Sequence, residues 1–179
     1  TCSDREVRAR LPMRKVNVVL ISVESLAARF MGILGNGRSV TPELDQLAGE
    51  GLLFTNLYAT GNRAVGGLEA LSVGTPARPG ESIVRRPNND GLKTLGGELK
   101  TKGWQPYWVY GGYGFFDNMN AYFDGNHYTV VDRSNVDAEG ITVHHENVWG
   151  IADEDLYSLA MAYMDREDEQ SHRFFEHIM

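Results

Sequence analysis

Cysteine is almost absent from this sequence, and long apolar runs are absent altogether. Cys2 is the only cysteine, which excludes an intrachain disulfide and a zinc–thiolate cluster. No run approaches the roughly 18 apolar residues of a membrane span, and no signal-peptide pattern is visible. The sequence starts at Thr1 without an initiator methionine. We predict that residues 1–15, which carry five basic side chains, form a basic linker, and that residues 16–179 form the domain.

Basic residues are also in short supply. Lysine and arginine number 17 against 24 acids, giving a net charge of −7, and a protein that binds nucleic acid non-specifically needs a basic surface. The charge is uneven, because residues 146–179 hold nine acids and two arginines. Residues 61–90 instead hold four arginines and three acids. We therefore expect no nucleic-acid partner, and we expect an anionic ligand to favour the middle of the chain.

The segment Val16–Glu24 is the strongest structural signal. Five of its first six residues are apolar and mostly β-branched, which is typical of a strand buried on both faces. In parallel α/β sheets, ligands bind at the carboxyl ends of the strands, so Glu24 is placed to face a ligand. An acid in this position also stabilises the first turn of a following helix, and the residues alone do not separate these two readings.

Apolar runs alternate with helical patterns along the rest of the chain. This alternation predicts an α/β fold with a mostly parallel sheet and helices on both faces. Thr41 and Pro42 are good helix-starting residues, and three apolar residues that follow at helical spacing predict a buried stripe: Leu44, Leu47 and Ala48. Further strands are predicted at 52–58, 104–110, 125–133 and 174–179, and further helices at 25–30, 68–72, 92–99 and 152–164.

Two loops carry candidate ligand-binding groups. Residues 59–67 form a small-residue loop before a helix, a place where backbone N–H groups bind anions, and Arg63 adds a guanidinium group suited to phosphate or sulfate. Residues 111–118 combine glycines with aromatic and amide side chains, which fits either a sugar- or glycerol-facing wall or packing over a core edge. Three histidines, at 127, 144 and 145, are interpreted as surface or structural residues.

Several stretches together resemble one enzyme family. They are NVVLISVESL (17–26), TPELDQLAGEGLLFTNLY (41–58), GNRAVGGLEA (61–70), PGESIVRRP (79–87), YGGYGFFDNMN (110–120) and ENVWGIADEDL (146–156). These stretches resemble the sulfatase-like branch of the alkaline phosphatase superfamily, and within it the phosphoglycerol transferases of the lipoteichoic-acid-synthase type.

The resemblance implies a fold, a cofactor and a set of site residues. It implies an alkaline-phosphatase-like core that holds a divalent cation, Mn²⁺ or Mg²⁺, with Glu24 as a metal ligand and a later Asp–His pair beyond residue 179. It places the family's nucleophilic threonine at position 64, where this chain has alanine. It also implies four substrate-binding residues: Arg63, Asp117, Asn118 and Trp149.

Ala64 sets this chain apart from that pattern, because a methyl group neither coordinates a metal nor attacks phosphorus. An engineered substitution, a natural inactive relative and a shifted register all remain open. We expect a fragment of an extracytoplasmic phosphoglycerol transferase that is inactive as it stands. Its expected partner is a phospholipid headgroup or glycerophosphate, and its expected attachment to the membrane is through upstream helices. The alternatives are a sulfatase- or phosphodiesterase-type hydrolase and a non-catalytic glycerophosphate-binding relative.

Overall fold

A computed structural model describes residues 16–38 and 40–179 of the chain, and the predicted linker at 1–15 lies outside the described residues. The described residues contain six strands and five helices longer than one turn. The strands are β1 (Val18–Ile21), β2 (Trp104–Val109), β3 (Thr129–Val131), β4 (Glu146–Asn147), β5 (Gly150–Ile151) and β6 (Arg173–Ile178). The helices are α1 (Pro42–Glu50), α2 (Ala64–Val73), α3 (Leu95–Thr101), α4 (Met119–Gly125) and α5 (Asp153–Glu169).

Four strands form one parallel sheet in the order β1-β6-β2-β3. The last strand in sequence, β6, therefore lies between β1 and β2 and is hydrogen-bonded on both sides. Strand order in space therefore differs from order along the chain. All four strands point the same way, so their carboxyl ends lie at a single edge of the sheet.

Helices cover both faces of this sheet at its inner strands, as predicted. The prediction that β1 is buried on both faces was wrong, because β1 is an edge strand of the described sheet in which Val19 and Ile21 are 43% and 48% exposed. Side chains alternate between faces along a strand, and β6 shows this clearly: Phe174 and Ile178 belong to one core cluster, while Phe175 belongs to the other. The first cluster packs against α5 through Leu156, Leu159 and related residues. The second packs against α2 and α4. The α/β class with a mostly parallel, helix-covered sheet is confirmed.

Three local predictions were wrong. Residues 52–58 form no strand, because a strand needs a hydrogen-bonded neighbour and this segment has none in the part of the chain that the structure describes. Residues 25–30 form a turn and then a 3₁₀ turn instead of an α-helix, since Ser25 has a positive φ of 58°. The predicted stripe on α1 is not buried: Leu47 is 62% exposed.

A β-hairpin and the end of one helix were missed. The strands β4 and β5 pair antiparallel around a two-residue tip, Val148 and Trp149. The predicted helix 152–164 extends as α5 to Glu169. Among residues 16–38 and 40–179, no helix is both long and apolar enough to cross a bilayer.

Candidate functional site

A cavity of about 580 Å³ lies at the carboxyl edge of the sheet. Its floor includes the ends of β1 and β6 and the residues that follow β2. Its walls come from the start of α2, the loop 110–119 and the β4–β5 hairpin. The lining residues are Ile21–Glu24, Ala64, Tyr110–Gly112, Phe116, Asp117, Met119, His145, Asn147, Trp149–Asp153, Leu156, Tyr157, Ile178 and Met179.

Glu24 and Ala64 line this same cavity, although 40 positions separate them in sequence. Glu24 follows the end of β1, and the hydroxyl of Ser25 donates a 3.5 Å hydrogen bond to its carboxylate. Ala64 is the first residue of α2, so its methyl group sits where a helix begins. The structure thus brings together the position assigned to a metal ligand and the position assigned to the nucleophile.

Asp117 also lines the cavity, and its backbone is held in an unusual conformation. Both Asp117 and Asn118 have positive φ, 53° and 63°, which non-glycine residues adopt rarely and which Asn and Asp tolerate best. The amide of Asn118 donates to the carbonyl of Val84 at 2.9 Å, and Asp117 lies 3.4 Å from the Arg85 guanidinium group. These contacts fix the loop on the neighbouring 3₁₀ turn.

Arg63 and Asn118 are absent from the lining of the main cavity. Asn118 lines a second depression on the far side of Asp117, together with Arg85 and Arg86. Arg63 caps α2 with extended backbone and lines a third depression beside Arg78. Of the four predicted substrate-binding residues, the structure therefore places Asp117 and Trp149 in the main cavity and the other two beside it.

Trp149 reaches the cavity from the tip of the β4–β5 hairpin. Its backbone N–H donates to the side-chain oxygen of Asn147 at 2.8 Å, and Ile151 N–H donates to the carbonyl of Gly111 at 3.0 Å. The ring of Trp149 meets that of Phe116 edge-on, with centroids 5.8 Å apart. The hairpin is thereby fastened to the loop that follows β2.

The cavity is acidic. Three carboxylates line it, on Glu24, Asp117 and Asp153, and none of the described lining residues is lysine or arginine. Burial, and after it the charges of Glu24 and Asp117, raises the pKa of Tyr110. An anion alone is repelled by such a surface, so a phosphate ester needs a cation to enter with it.

Sequence reasoning missed a hydrogen-bonded pair at the floor of the cavity, formed by half-buried Ser22 and buried His177. The hydroxyl of Ser22, which lines the cavity, lies 2.8 Å from Nε2 of His177 on β6. Burial against Trp108 and Phe123 lowers the pKa of His177 to about 4. The imidazole is therefore neutral at pH 7 and ties the ends of β1 and β6 together without adding charge.

Asp132 is a second residue that was missed, since its role depends on a fold that brings three segments together. Its carboxylate accepts hydrogen bonds from Gly114 N–H at 3.0 Å and from the Asn120 amide at 2.7 Å. Ser134 donates to its other oxygen through N–H and hydroxyl. Burial alone raises the pKa of Asp132, but these hydrogen bonds outweigh it and lower the pKa. Asp132 thus anchors the loop that carries Asp117.

The three histidines singled out in the sequence lie in different settings. His144 is exposed and its Nδ1 lies 2.7 Å from Asp155, whose carboxylate also accepts the backbone N–H of His144. His145 lines the cavity. His127 lies after α4 with a positive φ of 75° and is not among the cavity residues. His144 and His145 are adjacent in sequence, but only His145 lines the cavity, so the two side chains do not share one ligand site.

The residues present do not complete a metal centre. Carboxylate oxygens are the ligands that Mg²⁺ and Mn²⁺ prefer, and Glu24 offers such a group. Within residues 16–38 and 40–179, however, no three Asp, Glu, His or Cys side chains converge as metal ligands do. These residues supply part of a cation site at most, so no chemical step is assigned to a metal here.

Comparison with known proteins identifies the fold family. The family model for sulfatases matches residues 16–179. A crystal structure of a protein in the alkaline phosphatase superfamily from Vibrio parahaemolyticus superimposes with a TM-score of 0.86 and 35% sequence identity, over 94% of this chain and 41% of that one.

The lipoteichoic acid synthase LtaP from Listeria monocytogenes has the same fold, with a TM-score of 0.80 and 15% identity over 92% of this chain and 40% of its own. The chain thus spans about two-fifths of the length of each of these solved structures.

Proposed function

Because the chain belongs to the sulfatase family of the alkaline phosphatase superfamily, we propose that it forms part of a phosphoglycerol transferase domain that binds a glycerophosphate headgroup without turning it over. The natural ligand is the headgroup of a phospholipid or a glycerophosphate unit. The domain is proposed to act at the outer face of a membrane.

One observation carries the proposal: Glu24 and Ala64 share a single cavity at the carboxyl edge of the sheet. The residues that the family resemblance assigns to metal binding and to nucleophilic attack are thus directed at one space. Its volume of about 580 Å³ lies within the usual range for small-molecule sites.

Different side chains of the cavity are assigned to different parts of the ligand. The rings of Phe116 and Trp149 offer an apolar wall for the carbon skeleton of glycerol, and Asp117 and Asn147 offer oxygen acceptors for its hydroxyl groups. The surrounding carboxylates make entry of the phosphate depend on a divalent cation. Such a cation, when bound, neutralises phosphate oxygens.

Ala64 favours binding without turnover. Transfer by this family's route needs a hydroxyl group at that point, and a methyl group forms no ester with phosphorus. The main chain around Ala64 is nonetheless that of a helix start, where threonine is sterically acceptable.

The test is to restore the hydroxyl group in the full-length protein. Ala64→Thr should gain transfer of the headgroup from a fluorescent phosphatidylglycerol analogue in the presence of Mn²⁺, together with a covalent phosphoglycerol adduct detected by intact-mass spectrometry. Ala64→Val is the matched control, since valine has the same shape without the hydroxyl group, and it should stay inactive. If Ala64→Thr also stays inactive, the transferase assignment fails and a binding protein remains.

A further inference from the structure

Tyr110 follows β2 directly and lines the main cavity. Its backbone N–H donates to the carbonyl of Val131 at 2.9 Å, so the hydrogen bonding of the sheet continues for one residue beyond the strand. The side chain is half-buried. Burial, and then the charges of Glu24 and Asp117, raise the pKa of its phenol group. Because both carboxylates line the cavity and both act on the phenol group, the hydroxyl end of the ring lies on the cavity side.

Packing holds the Tyr110 ring on two sides. The ring stacks on that of Trp108, with centroids 6.0 Å apart and planes 17° apart, and Trp108 is itself fully buried. On the other side lies Gly112, where an added Cβ atom would stand 2.8 Å from Cε1 of Tyr110. The ring therefore has little freedom, so a ligand that binds its hydroxyl group has little side-chain entropy left to remove.

Tyr110 lies on the same face of the sheet as α2. It packs against the core cluster that contains Val65 and Leu68 of that helix, and Ala64 is the first residue of the helix. Tyr157, the other tyrosine in the described lining, packs against the opposite cluster beside α5. Of these two phenol groups, that of Tyr110 is therefore the one on the Ala64 side of the cavity.

A phosphate group needs hydrogen-bond donors, and the described lining of the cavity contains no lysine or arginine. The hydroxyl group of Ser22 is already engaged, since it lies 2.8 Å from Nε2 of His177. Within residues 16–38 and 40–179, no hydrogen bond engages the hydroxyl group of Tyr110. A phenol keeps its proton at neutral pH and is a donor without charge, and hydrogen bonds to charged groups are the stronger ones. Tyr110 is thus equipped to meet a phosphate oxygen in an acidic cavity.

We propose that Tyr110 is a ligand-binding residue whose hydroxyl group donates a hydrogen bond to a phosphate oxygen of the headgroup, on the Ala64 side of the cavity. The phosphate end of the ligand then lies against Tyr110, and its glycerol end lies toward the wall formed by Phe116 and Trp149. The inference rests on the proposed function, because it takes a glycerophosphate as the ligand.

The test is Tyr110→Phe in the full-length protein, which removes one oxygen atom and keeps the ring that stacks on Trp108. Calorimetric titration with glycerol 1-phosphate in the presence of Mg²⁺ should give a dissociation constant about tenfold or more above that of the parent. The urea-denaturation midpoint should equal that of the parent, because the hydroxyl group bonds to no described residue. In protein labelled with 3-fluorotyrosine, the ¹⁹F signal that Tyr110→Phe removes should be the one that glycerol 1-phosphate shifts most.

Tyr113→Phe is the matched control, since it removes the same atom three residues further along the loop. Tyr113 is 48% exposed and does not line the cavity, so its variant should bind glycerol 1-phosphate as the parent does. Equal losses of affinity in both variants would overturn the proposal. A lower urea midpoint in Tyr110→Phe would also overturn it, since the hydroxyl group would then support the fold instead of the ligand.

The parent's own titration keeps this inference distinguishable from the proposed function. If the parent binds glycerol 1-phosphate and only Tyr110→Phe binds it weakly, both stand. If the parent and Tyr110→Phe bind it equally well, the role of Tyr110 is wrong and the headgroup function remains. If the parent does not bind it at all, the headgroup function fails and the role of Tyr110 fails with it.

Discussion

At the scale of single residues, Ala64 stands where the family resemblance expects a nucleophilic threonine. Ala64 occupies the first position of α2 and lines the cavity with Glu24. The family resemblance assigned both positions to one site, and the structure places both in the lining of one cavity. The resemblance did not reveal the Ser22–His177 pair, whose members are 155 positions apart, or the role of Asp132, which joins Asn120 and Gly114 from 12 and 18 positions away.

Asp132 offers a test of how the cavity wall is held. In Asp132→Asn, one side-chain oxygen is replaced by an NH₂ group that faces other donors, those of Gly114 and Asn120 or those of Ser134. Leaving buried groups unpaired costs about 1–3 kcal/mol, so we expect a loss of this size in the free energy of unfolding, measured by urea denaturation. The hydrogen bonds lower the pKa of Asp132. The stabilisation is therefore present at neutral pH and is lost as the pH falls.

Asp137→Asn is the matched control for that experiment, because the Asp137 side chain is 93% exposed. Its unfolding free energy should equal that of the parent. If both variants unfold alike at pH 7, Asp132 is not the anchor described here.

At the scale of elements, β6 carries a carboxyl group in the middle of the sheet. Glu176 is fully buried and neither of its oxygens has a hydrogen-bond partner. Its neighbours across the sheet are Val19 and Tyr107, and the Tyr107 hydroxyl group already donates to Glu167 on α5. Burial, and after it the charge of Glu167, raises the pKa of Glu176 to about 8.

This predicts a pH dependence of stability with a definite sign. Between the ordinary pKa of 4.5 and about 8, folded Glu176 keeps a proton that the unfolded chain releases. The free energy of unfolding should therefore fall as the pH rises through this window, by up to about 1.4 kcal/mol per pH unit. Glu176→Gln removes the titration, so its urea-denaturation midpoint should vary less with pH.

The exposed Glu169 at the end of α5 provides the control for this series. Glu169→Gln should keep the parent's pH dependence. A Glu176→Gln variant with that same dependence would show that Glu176 is ionised in the folded protein.

Elements were predictable where local pattern and burial agree. The strands β2 and β6 are rich in aromatic residues and are largely buried in the sheet, and α5 has a clear helical spacing. The hairpin β4–β5 escaped prediction because two-residue strands carry no periodicity and its tip lacks the usual turn residues. The segment 52–58 has strand-like composition, but composition does not show whether a neighbouring strand exists.

At the scale of the whole molecule, the arginine-rich part of the chain does not line the main cavity. The sequence suggested that it would. The arginine-rich middle of the chain was expected to receive an anion, yet Arg63, Arg78, Arg85 and Arg86 line depressions beside the main cavity. The described lining of the main cavity is acidic. The sequence shows that acidic and basic residues are unevenly distributed along the chain. Only the fold shows which of these residues line the main cavity.

The carboxylates that line the main cavity favour a cation over an anion there. The family resemblance assigns one metal ligand in this sequence, Glu24, and residues 16–38 and 40–179 contain no convergent set of three possible metal ligands. A single carboxylate holds Mn²⁺ weakly. We therefore expect a dissociation constant for Mn²⁺ well above the micromolar range.

The most direct test is a Mn²⁺ titration of the chain labelled with ¹³C at its alanine methyl groups. Mn²⁺ at Glu24 should broaden the methyl signals of Ala64 and Ala152, which line the cavity, ahead of those of Ala48 and Ala162, which do not, and Glu24→Gln should abolish this preference. An Ala64 signal that stays sharp while others broaden, or that broadens equally in Glu24→Gln, would contradict a shared cavity. A sub-micromolar site would contradict the single-ligand account.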